Sequence, residues 1–215
     1  MRAVLFLALT TVALPATAVE CGDALERDLV LTRDLECSGA GAALTVVRSG
    51  VRIDLAGFAI STAPGATAIE LEGVHGVEIQ GPGRIEGAMT GVDAIRARGL
   101  VVQRIAFAHV GEGVRLTNAS HAQIADNRFD DVAGHAVVAL SLPGSLATGG
   151  GHRIAANAVV SAEYGVLVDG PWARASRIEG NAFDEIGTFA VIAPPPAVVA
   201  RDNRFGAVGV AAVLD

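Results

Sequence analysis

The sequence predicts an all-β solenoid, in which short parallel strands coil about seven times around one core. The first observation behind this fold class is the motif Ile-x-x-Asn-x-Phe at 124–129. The motif returns with changes at 154–159, 178–183 and 200–205. Units this small cannot bury an apolar face alone, so they are stable only when stacked on their neighbours.

Two apolar columns with the same period are the second observation. The residues that close successive units are Ile60, Ile85, Phe107, Phe129, Val159, Phe183 and Phe205. A second column follows at Ile69, Ile95, Val114, Val137, Val166, Val191 and Val210, each preceded by Gly or Ala. No stretch has a sustained helical period, so the repeating units indicate strands and corners.

The first 18 residues have the three regions of a secretory signal peptide: Met1-Arg2, an apolar run at 3–14 and a small-residue site at 16–18. We expect cleavage after Ala18 and a secreted or periplasmic protein. The alternative is a membrane anchor. Because a bilayer span needs roughly 20 apolar residues, we expect no membrane span.

Residues 19–49 are expected to form a disulfide-containing N-terminal cap and a first strand. Cys21 and Cys37 are the only cysteines, and in an exported chain they most simply form a disulfide. The alternative is two free buried thiols. Leu29, Leu31 and Leu35 recur at even spacing, as in a strand that covers the open end of a core.

Residues 50–215 are expected to be the coil repeats. An alternating strand over 51–55 ends at Gly57 and is followed by a short strand, and residues 77–85 repeat this unit. Stacked units place four asparagines one above another: Asn127, Asn157, Asn181 and Asn203. We interpret them as a structural amide ladder at a corner. The alternative, a polar binding stripe, requires that they face outward.

The charge of the chain excludes some partners. It has 16 basic and 23 acidic residues, no lysine, and a net charge of −7, which becomes −8 once Arg2 leaves with the signal peptide. Nucleic acids and anionic bilayers bind dense positive charge, so neither is expected as a partner.

Over residues 21–215 the chain resembles the right-handed parallel β-helix repeat proteins of the pectate-lyase-like superfamily. The resemblance is carried by the Cys21-to-Cys37 leader, the strand and corner at 51–60, the Gly-rich turn at 81–87 and the Asn motif. It implies a single-stranded right-handed parallel β-helix. The superfamily includes lyases, hydrolases, epimerases and binding proteins, so the resemblance leaves the activity open.

The resemblance also implies that reactive sites lie on an outer face beside long loops. Aligning Val137 with Val166 places His135 beside Tyr164, with Glu163 next to it. Carboxylates and a histidine near one another can perform general acid/base chemistry on a glycan. The catalytic candidates are Asp131, His135, Glu163, Asp184 and Glu185. The alternative is that these are solvated corner residues.

Long loops at 141–152 and around Trp172 are the expected binding walls, unless they are plain surface insertions. Either Trp172 or Tyr164 stacks on a sugar ring or is buried at a corner. The ligand-binding candidates are Tyr164, Trp172, His152, Arg153 and Arg177.

No metal site and no cofactor are predicted. The five histidines are spread one to a turn or loop, at His75, His109, His121, His135 and His152. The resemblance implies calcium only if the protein is a lyase.

Three functional hypotheses follow from these observations. The first is an exported, non-catalytic module that binds polysaccharide or has a structural role. The second is a polysaccharide lyase or glycoside hydrolase. The third is an adhesion or assembly protein whose open C-terminal coil, at 206–214, forms an end-to-end homodimer.

Overall fold

The computed structural model describes residues 19–142, 149–171, 173–193 and 198–213. The predicted signal peptide at 1–18 and Trp172 lie outside these described residues. The described chain is all-β and forms a parallel β-helix with three strand positions in each turn.

The first face is an eight-stranded parallel sheet, with one strand in each turn. Its strands are β2 (Leu29–Val30), β5 (Arg52–Asp54), β8 (Glu78–Gln80), β11 (Val101–Gln103), β14 (Gln123–Ala125), β16 (Arg153–Ala155), β19 (Ser176–Glu179) and β22 (Val198–Arg201).

The second face follows it along the chain. Its strands are β3 (Leu35–Cys37), β6 (Ala59–Thr62), β9 (Arg84–Glu86), β12 (Ala106–Val110), the beginning of β15 (Arg128–Leu140), β17 (Ala158–Val159), β20 (Ala182–Phe183) and β23 (Arg204–Phe205).

The third face carries the longest strands. They are β1 (Asp23–Leu25), β4 (Leu44–Val46), β7 (Thr67–Glu72), β10 (Thr90–Ile95), β13 (Glu112–Thr117), the end of β15, β18 (Ala162–Asp169), β21 (Ile186–Ile192) and β24 (Val208–Val213). Strand β15 runs without a break from the second face into the third, so these two faces form one 16-stranded sheet.

The structure has about eight turns, one more than the sequence predicts. The extra turn lies in the predicted cap, where Leu35 pairs with Ile60 and Leu44 pairs with Ile69. The sequence analysis assigned this first turn to the cap, because it comes before Ile60, where the closing column begins. The predicted disulfide between Cys21 and Cys37 is present there.

The closing column predicted from the sequence is confirmed, because all seven of its residues pair in register from turn to turn. The second column is correct at five positions and wrong at Ile95 and Val210. Val92 and Ala212 occupy those inward positions. Side chains alternate along a strand, so Ile95, three residues beyond Val92, lies on the outer side beside Glu72.

Small residues before the second column make room for the phenylalanines of the first. A Cβ added to Gly113 would lie 2.4 Å from the ring of Phe129, and one added to Gly165 would lie 2.8 Å from the ring of Phe183. These close approaches explain why Gly precedes Val114 and Val166. They also allow Phe107 and Phe129 to stack with ring centroids 4.9 Å apart in the core.

The asparagine ladder lies inside the coil. Asn127, Asn157 and Asn181 are at most 3% exposed. In each, the side-chain amide donates to the Oδ1 of the next asparagine, at 3.0–3.1 Å, and to a main-chain carbonyl. The ladder therefore links four successive turns up to Asn203, and its burial excludes the outward binding stripe.

Candidate functional site

Polar and aromatic side chains from successive turns line up at one outward column of the third face. His135 pairs with Tyr164, and Tyr164 pairs with Phe189. The rings stack, with centroids 4.7 Å apart for His135 and Tyr164 and 6.5 Å apart for Tyr164 and Phe189. The sequence-based placement of His135 beside Tyr164 is therefore confirmed.

Glu112 continues this column in the turn before His135. Its Oε1 lies 3.8 Å from His135 Nδ1, which is an ion-pair distance and too long for a hydrogen bond. Arg115, three residues along β13, donates from Nε to Glu112 Oε2 at 2.6 Å. The guanidinium holds the carboxylate in place beside the imidazole.

Asp93 of the preceding turn completes the group. It pairs with Arg115 across the strands, and its Oδ2 lies 3.9 Å from Arg115 Nη1. Its other oxygen, Oδ1, is buried and has no hydrogen-bond partner among the described residues. We call Asp93, Glu112, Arg115, His135 and Tyr164 the third-face cluster.

Partial burial gives the third-face cluster unusual electrostatics. Its charged side chains are 16–36% exposed. Burial raises the pKa of Asp93, and Arg115 only partly opposes this. Burial also works to raise the pKa of Glu112, but His135 and Arg115 favour the charged form and lower it overall. The two carboxyls therefore differ in their tendency to ionise.

Of the predicted catalytic residues, only Glu163 shares this part of the third face with His135. It is exposed, and its Oε1 accepts a short hydrogen bond from the hydroxyl of Thr188 in the next turn. A Cβ added to Gly187 would lie 2.6 Å from its other oxygen, Oε2. Glu163 is thus held along the surface by the following turn.

The other predicted acids lie at the corner between the second and third faces. Asp131 and Glu185 both have positive φ, at 52° and 49°, which places them at the bend itself. Asp131 Oδ2 lies 3.6 Å from His109 Nε2. Asp184 Oδ1 accepts from the main-chain N–H of Ala207 at 2.8 Å. The carboxylates of Asp131 and Asp184 are thus engaged at the corner, and the described residues show no contact between any of these three acids and His135.

The predicted ligand-binding residues are dispersed. Arg153 and Arg177 pair on the first face, and Arg153 donates a hydrogen bond to Glu179 at 3.0 Å. His152 is only 4% exposed, and its Nδ1 accepts from the N–H of Ala122. Burial lowers the pKa of His152 to about 4, aided by His121. This position differs from the surface contact that the sequence analysis predicts.

The sequence analysis did not predict three of the site residues, Asp93, Glu112 and Arg115. Asp93 lies in one turn, and Glu112 and Arg115 lie at different positions of the next turn. Only the stacking of turns brings them to His135. One signal was available: Val114 aligns with Val137, so Glu112 falls two residues before the shared column, where His135 also lies.

Within the part of the chain that the structure describes, no group of three His, Cys, Asp or Glu side chains is placed to hold a metal ion. The same residues include no helix with the length and apolarity needed to cross a membrane.

Comparison with solved structures shows the same fold. The chain is similar to an alginate lyase from Paenibacillus sp. str. FPU-7, with a TM-score of 0.68 and 14% identity over 83% of this chain and 68% of the lyase. It also matches the A-module of the mannuronan C-5 epimerase AlgE6 of Azotobacter vinelandii, with a TM-score of 0.44 and 18% identity, over 87% of this chain and 58% of that module. No protein-family model and no curated protein matches the chain.

Proposed function

We propose that this protein is an exported β-helix module that binds polysaccharide along its third face without transforming it. The observation that carries this proposal is the third-face cluster, where outward polar groups from four successive turns meet. The turns repeat about every 4.8 Å, which is close to the length of one sugar unit in an extended glycan. A glycan lying along the helix axis would meet equivalent positions turn after turn.

The contacts available to a sugar are polar. The faces of the Tyr164 ring are flanked by His135 and Phe189, so a sugar would meet the ring edge and the hydroxyl, and not stack on the ring. Tyr164 makes only ring contacts among the described residues. Its hydroxyl is therefore free to bond a sugar hydroxyl, and the imidazole of His135, which is only at ion-pair distance from Glu112, can bond another.

Export is part of the same proposal. It is supported by the signal-peptide pattern at 1–18 and by the Cys21–Cys37 disulfide, because disulfides persist in oxidising compartments. The fold shared with an alginate lyase supports a carbohydrate ligand as an analogy of scaffold only.

Affinity measurements with purified protein test the binding role. The panel would contain neutral and acidic polysaccharides, and the variants would be Tyr164→Phe and His135→Ala. We expect each variant to weaken binding about tenfold, since each removes one or two hydrogen bonds to the ligand. Arg153→Gln on the first face is the control and should bind as the parent does. Equal affinities for all four proteins would refute the third face as the binding surface.

A second candidate function is catalysis at the same cluster. It is favoured by one observation, the ion-pair contact of Glu112 with His135 beside the free hydroxyl of Tyr164. A carboxylate that orients a histidine, next to a tyrosine, is an arrangement used for general acid/base chemistry.

Polymer length distinguishes the two candidates. The same polysaccharides, incubated with and without calcium and then sized by gel filtration, should keep their length if the protein only binds. Shortening that is abolished in His135→Ala would establish the enzyme. Shortening that persists in that variant would place catalysis elsewhere.

A further inference from the structure

A groove lies at the corner that follows the third face, away from the third-face cluster. It is about 480 Å³ in volume, and it is lined by His75, Arg96 and Arg98 over a floor of Gly73, Gly76 and Gly99. His75 and Arg98 pair across adjacent turns, and Arg98 pairs with Ser120 in the turn after. The basic side chains are therefore neighbours along the helix axis.

The main-chain N–H groups of Gly76 and Gly99 on the floor of the groove are already used, so a ligand would contact side chains. Gly76 donates its N–H to Arg98 O, and Gly99 donates to Ser120 O, so these main-chain donors are used within the coil. A Cβ added at Gly76 would meet nothing within 4 Å, which shows that open space lies above the floor. A ligand in this space would meet the guanidinium and imidazole groups.

The charge in the groove is not balanced. Arg96 is bonded to Glu72 of the preceding turn, whereas Arg98 is exposed and has no carboxylate partner in the described chain. Some exposed arginines do have one, such as Arg52 with Glu78 at 2.9 Å and Arg128 with Asp130 at 3.0 Å, whereas others, such as Arg174, have none among the described residues. Arg98 is distinguished by its position beside Arg96 and His75, in a groove whose described lining includes no acid.

We propose that this groove binds one oxyanion of an acidic glycan, either a uronate carboxylate or a sulfate ester. The planar guanidinium of Arg98 donates two parallel hydrogen bonds to such a group. His75 adds a donor from the adjacent turn, and Arg96 adds positive potential. This site goes beyond the proposed function, because it shares no residue with the third-face cluster.

Calorimetric titration of the full-length protein at low salt tests the proposal. The probes are an oligogalacturonate, a sulfated dextran oligomer, a neutral dextran oligomer and inorganic sulfate. We expect both acidic oligosaccharides to bind, and Arg98→Gln to weaken them about tenfold through the loss of a charge-assisted hydrogen-bonded pair. Arg98→Lys should weaken them less, since it keeps the charge and loses the paired geometry.

Arg174→Gln is the matched control. Arg174 is exposed, lacks a partner among the described residues, and occupies the same corner row, since Gly151 donates to its carbonyl as Gly76 does to that of Arg98. It lies outside the groove, so its variant should bind as the parent does. Equal weakening in Arg98→Gln and Arg174→Gln would mean unspecific attraction and would overturn the proposal.

Three further outcomes are decisive. Failure of both acidic oligosaccharides to bind overturns the proposal. Inorganic sulfate that binds as tightly as the oligosaccharides would indicate a site for free anions and overturn the assignment to a glycan. A loss of acidic-oligosaccharide binding in His135→Ala, with none in Arg98→Gln, would place that binding on the third face and refute the groove alone.

Discussion

Two polar networks link successive turns of this protein, one inside the coil and one outside it. The asparagine ladder is uncharged and buried, and its side-chain amides bond to one another and to the main chain. The third-face cluster is charged and half-buried. One Asp93 oxygen has no partner among the described residues, and His135 is only at ion-pair distance from Glu112. The comparison teaches that a network completed by its own chain stabilises the fold, whereas an incomplete one leaves hydrogen-bonding groups unused.

The largest effect is expected from breaking the interior network. Asn157→Leu would leave the N–H and the amide of Asn127 without their acceptor and the carbonyl of Ile124 without its donor. We expect a loss of roughly 3–5 kcal/mol in the free energy of unfolding, because buried groups would be unsatisfied. Denaturant unfolding measures it.

The control for this change is Asn203→Ala, in the last described turn. Asn203 is only partly buried, so water can replace its bonds, and a clearly smaller loss is expected. Equal losses at the two positions would show that burial does not set the strength of the ladder.

Lowering the pH is expected to destabilise the fold, because the buried side chain of His152 is neutral in the folded protein. His152 has a folded pKa of about 4 against 6.5 when unfolded, so the unfolded chain binds more protons between these values. Stability from this group is therefore complete above pH 6.5, falls as the pH drops to about 4, and falls no further below it. The total loss is about 3 kcal/mol.

His152→Asn tests this sign. Its Oδ1 can replace Nδ1 as the acceptor for Ala122, and it does not titrate. Urea unfolding at pH 7 and pH 4 should show a smaller loss for the variant than for the parent. Identical pH dependences would contradict a buried neutral imidazole.

The exterior network should contribute less to stability. Arg115→Gln removes the 2.6 Å partner of half-buried Glu112, and we expect a loss of about 1–2 kcal/mol. Arg52→Gln, which removes the exposed 2.9 Å ion pair with Glu78 on the first face, should leave the thermal midpoint unchanged. If both variants unfold like the parent, the third-face cluster is no more sheltered than an ordinary surface pair.

The smallest effect on stability, with a clear effect on binding, is expected from Tyr164→Phe. The hydroxyl makes no hydrogen bond among the described residues, so its removal should leave the thermal midpoint within about 1 °C of the parent, in keeping with the small cost of ordinary surface changes. Ligand affinity should nevertheless fall. A shifted midpoint with unchanged affinity would reverse the roles assigned to the two networks.

The interior of the molecule could be predicted from the sequence because its residues repeat. The closing column and the asparagine ladder recur at a regular interval, and each member must match the residue above it in shape or hydrogen bonding. The errors occurred where that constraint is weak. Ile95 and Val210 are apolar residues on outward positions, and outward residues need not match their neighbours.

The candidate site could be predicted only in part, because outward residues need not match their neighbours. The register of the valines brought His135 to Tyr164, but nothing in the local sequence of Glu112, Arg115 or Asp93 distinguishes them from solvated strand residues. Asp131 and Glu185 had the right chemistry, but their positive φ places them at the corner, where the described residues show no contact between them and His135.

The amino-acid sequence thus specified the parallel coil, its register and its buried ladder, because turn-on-turn packing repeats the same demand along the chain. The tertiary structure alone decided which outward side chains meet. Contacts such as Glu112 with His135, or His75 with Arg98, join residues 23 apart in the chain that lie one strand spacing apart in space. Their strength depends on burial and on neighbouring charge, which arise only when the turns are stacked.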